Sequence, residues 1–124
     1  MAVTQITQTT PTSVIAARTT TSTAPTSGTD GFLCGSDGGV VRTMVTYAGS
    51  VTAVTLRLYV RNRVSGVWYR GASSADAGAL TPASGNDARD WVVGEDAEFT
   101  FAVEAISPGT AGNTIAVDVI GVSA

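Results

Sequence analysis

The sequence predicts an all-β fold, an antiparallel β-sandwich. Two segments alternate apolar and polar side chains with a period of two, at residues 54–61 and 98–104. Short β-branched segments are separated by Gly-, Ser- and Asn-rich turns, and no segment has helical periodicity. Some eight short strands of this kind are typical of a sandwich or barrel. A jelly roll is the preferred topology, since it accommodates eight strands in two sheets. An immunoglobulin-like sandwich is the alternative, but Cys34 is the only cysteine and the Cys-Trp-Cys signature needs two.

The chain divides into an N-terminal arm, residues 1–30, and a sandwich domain, residues 31–124. The arm is rich in Thr, and only Arg18 and Asp30 carry charge in it. Its segment 13–20 is rich in β-branched residues and predicts one strand within the arm. A loop is expected over residues 21–31, which contain Pro25 and Gly28.

The centre of the chain carries the clearest strand pattern. Strands are expected at residues 39–47 and 51–62, and Ser-Gly at 65–66 predicts a hairpin into a further strand at 67–70. In the second of these strands, alternate residues are expected to face the core and the outside. The inward set is Val54, Leu56, Leu58 and Val60, and the outward set is Thr55, Arg57, Tyr59 and Arg61.

The second half of the chain is expected to begin with a loop and to end with two long strands. Residues 71–90 are rich in Gly, Ala, Ser and Asp and predict a loop that contains a short strand at 79–81. A second short strand is expected directly after this loop, at 91–93. The segment 98–105 predicts a strand with Phe99, Phe101 and Val103 facing the core. After a turn-rich connector, residues 114–122 predict the closing strand.

Composition excludes several classes of function. The chain has no His and no Lys, so a His base, a Ser-His or Cys-His pair and a Lys Schiff base are impossible, and we expect no enzyme and no cofactor. A formal net charge of -3 is unlike the basic excess of a nucleic-acid-binding protein. No secretory signal or membrane-spanning apolar run is present in the 124 residues. Cys34 is expected to be a buried apolar side chain.

A low density of charge points to a surface that neighbouring molecules cover. Charged residues make up 14% of the chain, against about 25% in a typical soluble domain. This composition fits a chain that associates with itself or with other proteins.

The outward stripe Arg57, Tyr59 and Arg61, continued by Arg63, is the main candidate contact surface, because Arg and Tyr are enriched in protein interfaces. The alternative is a solvent face on which these arginines pair with carboxylates of neighbouring strands, Glu98, Glu104 or Asp118.

A second candidate contact lies in the arm, at Thr4 and Ile6. An extended Thr-rich segment is suited to adding a strand to the sheet edge of a neighbouring protein.

Three further interpretations have weaker support. Trp68, Tyr69 or Trp91 would form an aromatic platform for a sugar ring, although adjacent strand residues point to opposite faces. The acidic segment 86–96 would supply oxygen ligands to Ca²⁺, but it lacks the spacing of an EF-hand loop. A carboxylate pair built from these acidic residues or Asp76 would serve glycoside hydrolysis, although the chain has few large polar residues to form a catalytic cleft. The Gly-rich segment 35–39 lacks the Lys of a phosphate-binding loop and predicts a turn.

The strand pattern of residues 56–70, followed by the acidic segment, the Phe99–Phe101 strand and the 115–122 strand, resembles small virion proteins of tailed bacteriophages. The resemblance spans about residues 30–124. It implies a jelly-roll or sandwich module of the particle, in particular a capsid decoration (cement) protein that clamps neighbouring capsid subunits, usually as a trimer. A location in the tail, baseplate or head fibre is the alternative. The partner would be a capsid or other virion protein, and the protein would be made in the bacterial cytoplasm.

Overall fold

The structure, a computed structural model, describes residues 4–8, 10–19, 25–26, 31–34, 39–72, 77–80, 86–94, 97–107 and 112–122. Two β-sheets pack face to face, which confirms the predicted all-β sandwich. The ten strands are β1 (Thr4–Ile6), β2 (Thr12–Arg18), β3 (Phe32–Cys34), β4 (Val40–Ala48), β5 (Ala53–Arg61), β6 (Trp68–Arg70), β7 (Ala77–Leu80), β8 (Asp87–Val92), β9 (Glu98–Ser107) and β10 (Thr114–Val122).

The four-stranded sheet has the order β2-β10-β4-β8 and is antiparallel throughout. The six-stranded sheet has the order β1-β3-β9-β5-β6, with β7 also paired to β5. This second sheet is mixed, because β1 pairs with β3 in parallel. The prediction of a wholly antiparallel sandwich is therefore wrong at this one edge.

Strands β6 and β7 form two halves of one edge strand. β6 pairs with residues 59–61 of β5, and β7 continues along the same strand beside residues 54–57. The amide of Gly71 donates to the carbonyl of Leu58 at 2.9 Å, so pairing extends one residue beyond β6. The described pairing with β5 begins again at Ala77, which pairs with Arg57.

The core lies between the sheets and follows the alternation of the sequence. Val54, Leu56 and Leu58 of β5 are buried, and Val60 packs against the core. On β9, Phe99, Phe101 and Val103 are buried, as predicted. Cys34 is buried and fully inaccessible, as the sequence predicts.

The N-terminal segment is built into both sheets. Its described residues contain two strands where the sequence predicts one, since β1 joins the six-stranded sheet and β2 pairs with β10. The Ile6 side chain is 2% exposed and belongs to the core. The amide of Gly121 donates to the carbonyl of Thr7 at 2.8 Å, which fixes the segment between the two strands.

Each sheet edge has a feature that discourages pairing with another chain. β1 has only three residues, and the edge beside β5 is made of two short strands, β6 with three residues and β7 with four. β2 shifts its register against β10 twice, and β8 carries the charged residues Asp87, Arg89 and Asp90. Short strands, bulges and charges are the known means by which natural sheets avoid edge-to-edge association.

Candidate functional site

The predicted stripe of β5 lies on the outer face of the six-stranded sheet. Arg57, Tyr59 and Arg61 all point away from the core, as the alternation requires. Tyr59 is nevertheless only 7% exposed, and the side chains of Arg57 and Arg61 are largely covered. Most of the predicted stripe is therefore screened from solvent by its neighbours on the same face.

Arg57 is held by a carboxylate of the adjacent strand. Its Nε donates to Glu104 Oε1 at 2.9 Å, and its Nη1 donates to the carbonyl of Gly71 at 2.9 Å. Glu104 also accepts a two-pronged contact from Arg70, at 2.8 and 3.0 Å. Glu104 lies at a β-bulge, because Thr55 pairs with Ala105 while Leu56 pairs with Val103. The bulge places this one carboxylate between two guanidinium groups.

These two arginines make Glu104 an unusually strong acid. Hydrogen bonds from Arg70 and then Arg57 outweigh the effect of burial and lower the pKa of Glu104 to about 2, from an ordinary value of 4.5. Because the folded-state pKa is depressed, the ionised carboxylate stabilises the fold above about pH 4.5. That contribution is lost as the pH falls from there towards 2.

The variant Glu104→Gln is expected to remove this part of the acid sensitivity. Wild type should lose more of its free energy of unfolding between pH 4.5 and pH 2 than the variant does. Urea unfolding at several pH values in this window, followed by circular dichroism, measures the difference. If the two proteins lose stability in parallel, Glu104 does not contribute the pH dependence.

A second ion pair lies at the start of β9. Arg61 Nη1 donates to Glu98 Oε2 at 2.8 Å, and Arg63 Nε lies 3.7 Å from Glu98 Oε1. Glu98 is 3% exposed, because Gly31 and Trp68 pack over it: a Cβ on Gly31 would lie 2.7 Å from each. The predicted alternative of cross-strand pairs is thus present for Arg57 and Arg61, through Glu104 and Glu98. Asp118 lies on the other sheet, away from this stripe.

Hydrogen bonds to Asn62 hold the hairpin that follows β5. Asn62 Oδ1 accepts the amides of Val64 at 2.9 Å and Ser65 at 3.2 Å, and the amide of Gly66 donates to the carbonyl of Asn62 at 2.8 Å. Gly66 has a φ of +78°, a conformation that favours glycine. This confirms the hairpin predicted at Ser65-Gly66.

The hairpin carries most of the exposed large apolar side chains among the described residues. Val64 is 99% exposed, Tyr69 57% and Val67 44%; the fourth such residue, Val92, lies on the other sheet. Arg63, in the turn, is also about half exposed. Arg70 lies on the opposite face of β6 from Tyr69, because Tyr69 pairs with Val60, which packs against the core, whereas Arg70 pairs with Tyr59 of the outer face. We call Arg63, Val64, Val67 and Tyr69 the hairpin surface. The sequence points to Arg63 as a contact and to Tyr69 as a sugar platform, but Val64 and Val67 were missed, although a valine at the tip of a predicted turn is itself a signal of exposure.

The arm residues Thr4 and Ile6 are placed apart from the hairpin. β1 lies at one edge of the six-stranded sheet, and the hairpin belongs to the opposite edge. Thr4 is exposed, whereas Ile6 is in the core of its own chain and does not present its side chain to a neighbour.

Trp91 is buried and cannot form part of the aromatic platform that the sequence suggests for sugar binding. It is 2% exposed, its Nε1 donates to Thr43 Oγ1 at 2.9 Å, and its ring meets Phe101 edge-on at 4.9 Å. Trp68 is half-buried, with the Arg61 guanidinium 5.7 Å from its ring centre. Tyr69 is the exposed aromatic side chain of the hairpin.

The acidic segment is mostly strand rather than loop. Asp87 and Asp90 belong to β8, where Asp87 accepts the Tyr47 hydroxyl at 2.9 Å and Asp90 pairs with Arg42 at 2.7 Å. Desolvation and then the Asp87 hydrogen bond raise the pKa of Tyr47 well above its ordinary value. Glu95, Asp96 and Asp76, and residues 35–38 of the Gly-rich segment, lie outside the described residues. Within the described ranges, no three His, Cys, Asp or Glu side chains cluster as metal ligands would.

Among the residues with described structure, no helix has the length and apolar character needed to cross a membrane. No protein-family model, curated protein or solved structure matches this chain.

Proposed function

We propose that this chain is a non-enzymatic structural protein of a phage particle, a capsid decoration protein that binds and stabilises the assembled shell. The hairpin surface is the observation that carries the proposal. Two exposed valines held on a hydrogen-bonded hairpin, with Tyr69 and Arg63 beside them, have the composition of protein interface centres. An exposed apolar patch of this kind on a soluble domain marks a contact with another protein.

The strand order supports the finer proposal that the sandwich is a jelly roll. With β1 set aside and β6 and β7 counted as one strand, the chain has eight strands in two sheets of four. Numbered from β2, the sheets have the orders 1-8-3-6 and 2-7-4-5. Double-sheet jelly rolls of eight strands are common in viral capsid proteins. Fold alone does not define function, so the surface remains the stronger argument.

The proposed mechanism is stabilisation by binding. A protein that binds the assembled shell and not its separated subunits stabilises the shell by its binding free energy. We propose that the hairpin surface inserts its apolar side chains into a capsid protein while Arg63 contacts polar groups at the rim. The blunted sheet edges favour such side-chain docking over strand addition. Catalysis, cofactors and nucleic acid have no part in the mechanism.

The same surface would serve a protein of the tail, baseplate or head fibre. Co-purification with empty heads that lack tails separates a head location from the others. Self-association, which the resemblance implies as a trimer, is a separate property measured by solution mass.

The proposal predicts that Val64→Asp weakens binding to purified shells at least tenfold, because it places a charge at the most exposed apolar position. Co-sedimentation of the labelled protein with shells measures the affinity. The matched control is Ser107→Asp, an exposed position at the far end of β9 from the hairpin, which should bind as wild type does. Since Val64 makes no core contact, the melting temperature of the Val64→Asp variant should stay close to that of wild type.

Two results would count against the proposal. Failure of the wild-type protein to bind heads or whole particles would remove the particle function. Equal loss of binding in the two variants would remove the role of the hairpin surface.

A further inference from the structure

The outer face of the four-stranded sheet is the least polar outward-facing surface of the described fold. The residues that point outward on three of its strands, β4, β8 and β10, are Val40, Arg42, Met44, Thr46, Ala48, Ala88, Asp90, Val92, Thr114, Ala116, Asp118, Ile120 and Val122. Only three of these are charged. The outer face of the other sheet carries four arginines and two glutamates in β5, its hairpin and β9.

The apolar side chains of this face lie in cross-strand register. Val92 pairs with Val40, which pairs with Val122, so three valines form one row across the sheet. Ile120 lies in the next row, beside Arg42, and Met44 in the row after that. Val92 is 74% exposed, and no described residue covers it. Antiparallel sheets with one solvated face normally alternate apolar with polar residues.

β10 has the sequence of a strand covered on both sides. Its residues 114–122 are Thr-Ile-Ala-Val-Asp-Val-Ile-Gly-Val, with Asp118 as the only charge. The inward residues Ile115, Val117 and Val119 fill the core, so the outward Ile120 and Val122 are not needed there. Near-continuous apolar runs are typical of strands buried on both faces.

The charges of the face are arranged so that the face can meet a copy of itself. Arg42 and Asp90 neutralise each other through contacts of 2.7 and 3.2 Å, which leaves Asp118 as the charge of these three strands that a second copy would have to meet. Asp118 has no ion-pair partner among the described residues and lies one strand and one row from Arg42. A two-fold axis between these positions brings Arg42 of each copy towards Asp118 of the other, in two equivalent contacts.

The size of the face also suits a second copy. The four strands have 7, 9, 9 and 6 residues, and at about 3.4 Å per residue and about 4.8 Å between strands they cover roughly 500 Å². Two such faces together bury about 1,000 Å², about the area that a specific protein interface needs. Antiparallel sheets also pack face to face against other sheets.

We infer that the outer face of the four-stranded sheet binds the same face of a second copy, forming a two-fold symmetric dimer. This goes beyond the proposed particle function and does not depend on it. The contact differs from the trimer that the resemblance implies, because an isologous contact closes with two copies. The hairpin surface belongs to the other sheet and is left for a different partner.

Solution mass tests the inference on the full chain without any capsid. Wild type at micromolar concentration should have about twice its chain mass of 12.5 kDa by light scattering coupled to size exclusion. Val92→Asp should raise the dimer dissociation constant at least tenfold, because the two-fold axis places the new charge in the contact twice. Asp118→Arg should weaken the dimer similarly by opposing the partner's Arg42.

Val64→Asp is the matched control, since it makes the same change at an exposed valine of the other sheet and should leave the mass unchanged. Circular dichroism melting checks that each variant folds. A monomeric wild type, a trimer, or a dimer that Val64→Asp dissociates while Val92→Asp does not would each overturn the inference. Loss of shell binding with an intact dimer would contradict only the particle function.

Discussion

Replacing Trp91 with alanine is expected to lower the free energy of unfolding by about 3–5 kcal/mol, the range for deleting a large buried aromatic side chain. Trp91 fills the space between β8 and the opposite sheet, where a Cβ on Gly78 would lie 3.0 Å from its ring. It meets Phe101 edge-on, and the Arg89 guanidinium lies 4.5 Å from its ring centre. The alanine variant loses all of these contacts and leaves a cavity.

The conservative variant Trp91→Phe separates packing from hydrogen bonding. It keeps an aromatic ring against Phe101 but removes the donor to Thr43 Oγ1, whose own hydroxyl still donates to the carbonyl of Arg89 at 3.2 Å. The cost should therefore be less than half of that of the alanine variant. Urea unfolding followed by circular dichroism measures both. A loss below about 1 kcal/mol for Trp91→Ala would mean that the side chain is not part of the core.

Replacing Glu98 with leucine is expected to cost about 3–5 kcal/mol, because it leaves the largely buried Arg61 guanidinium without its carboxylate. The double variant Glu98→Leu with Arg61→Met removes both charges and should be less destabilised than Glu98→Leu alone. Replacement of a whole buried ion pair by apolar residues is often neutral or stabilising.

The comparison requires all four proteins of the cycle, measured by urea unfolding under one set of conditions. A large coupling energy between the two positions is expected, since the two side chains are 2.8 Å apart. If the two single effects simply add in the double variant, the pair does not act as a unit. Arg63, at 3.7 Å from Glu98, remains in every variant and serves as a constant background.

Alternation located the strands that are long and half-buried, but not the short ones. β5 and β9 are recognisable because each alternates over several residues. β1 and β3 were missed because three residues are too few to show a period. The sequence predicts β8 only at residues 91–93, because Asp87, Arg89 and Asp90 are typical of a loop. Charged residues are also common on edge strands, so the prediction of a loop at residues 87–90 is wrong.

The partners of the outward side chains were only partly predictable. Pairs such as Arg57 with Glu104 join residues far apart in the chain, and one bulge decides which carboxylate reaches which arginine. A one-residue change of register moves every side chain of a strand to the other face. The arginines and the carboxylates could therefore be named from the sequence, but their burial by neighbouring side chains could not be predicted. The exposed hairpin was signalled by its turn residues alone.

The divided edge strand has a consequence for engineering. β6 with Gly71 and β7 each make their own hydrogen bonds to β5, so the position of β7 is set by its pairing and not by the number of residues between Gly71 and Ala77. Extra residues placed between the two halves add mainly loop-closure entropy, about 0.6 kcal/mol for each doubling of length. The fold thus contains a natural insertion point, and peptides grafted there would be displayed at the sheet edge while the surrounding hydrogen bonds remain intact.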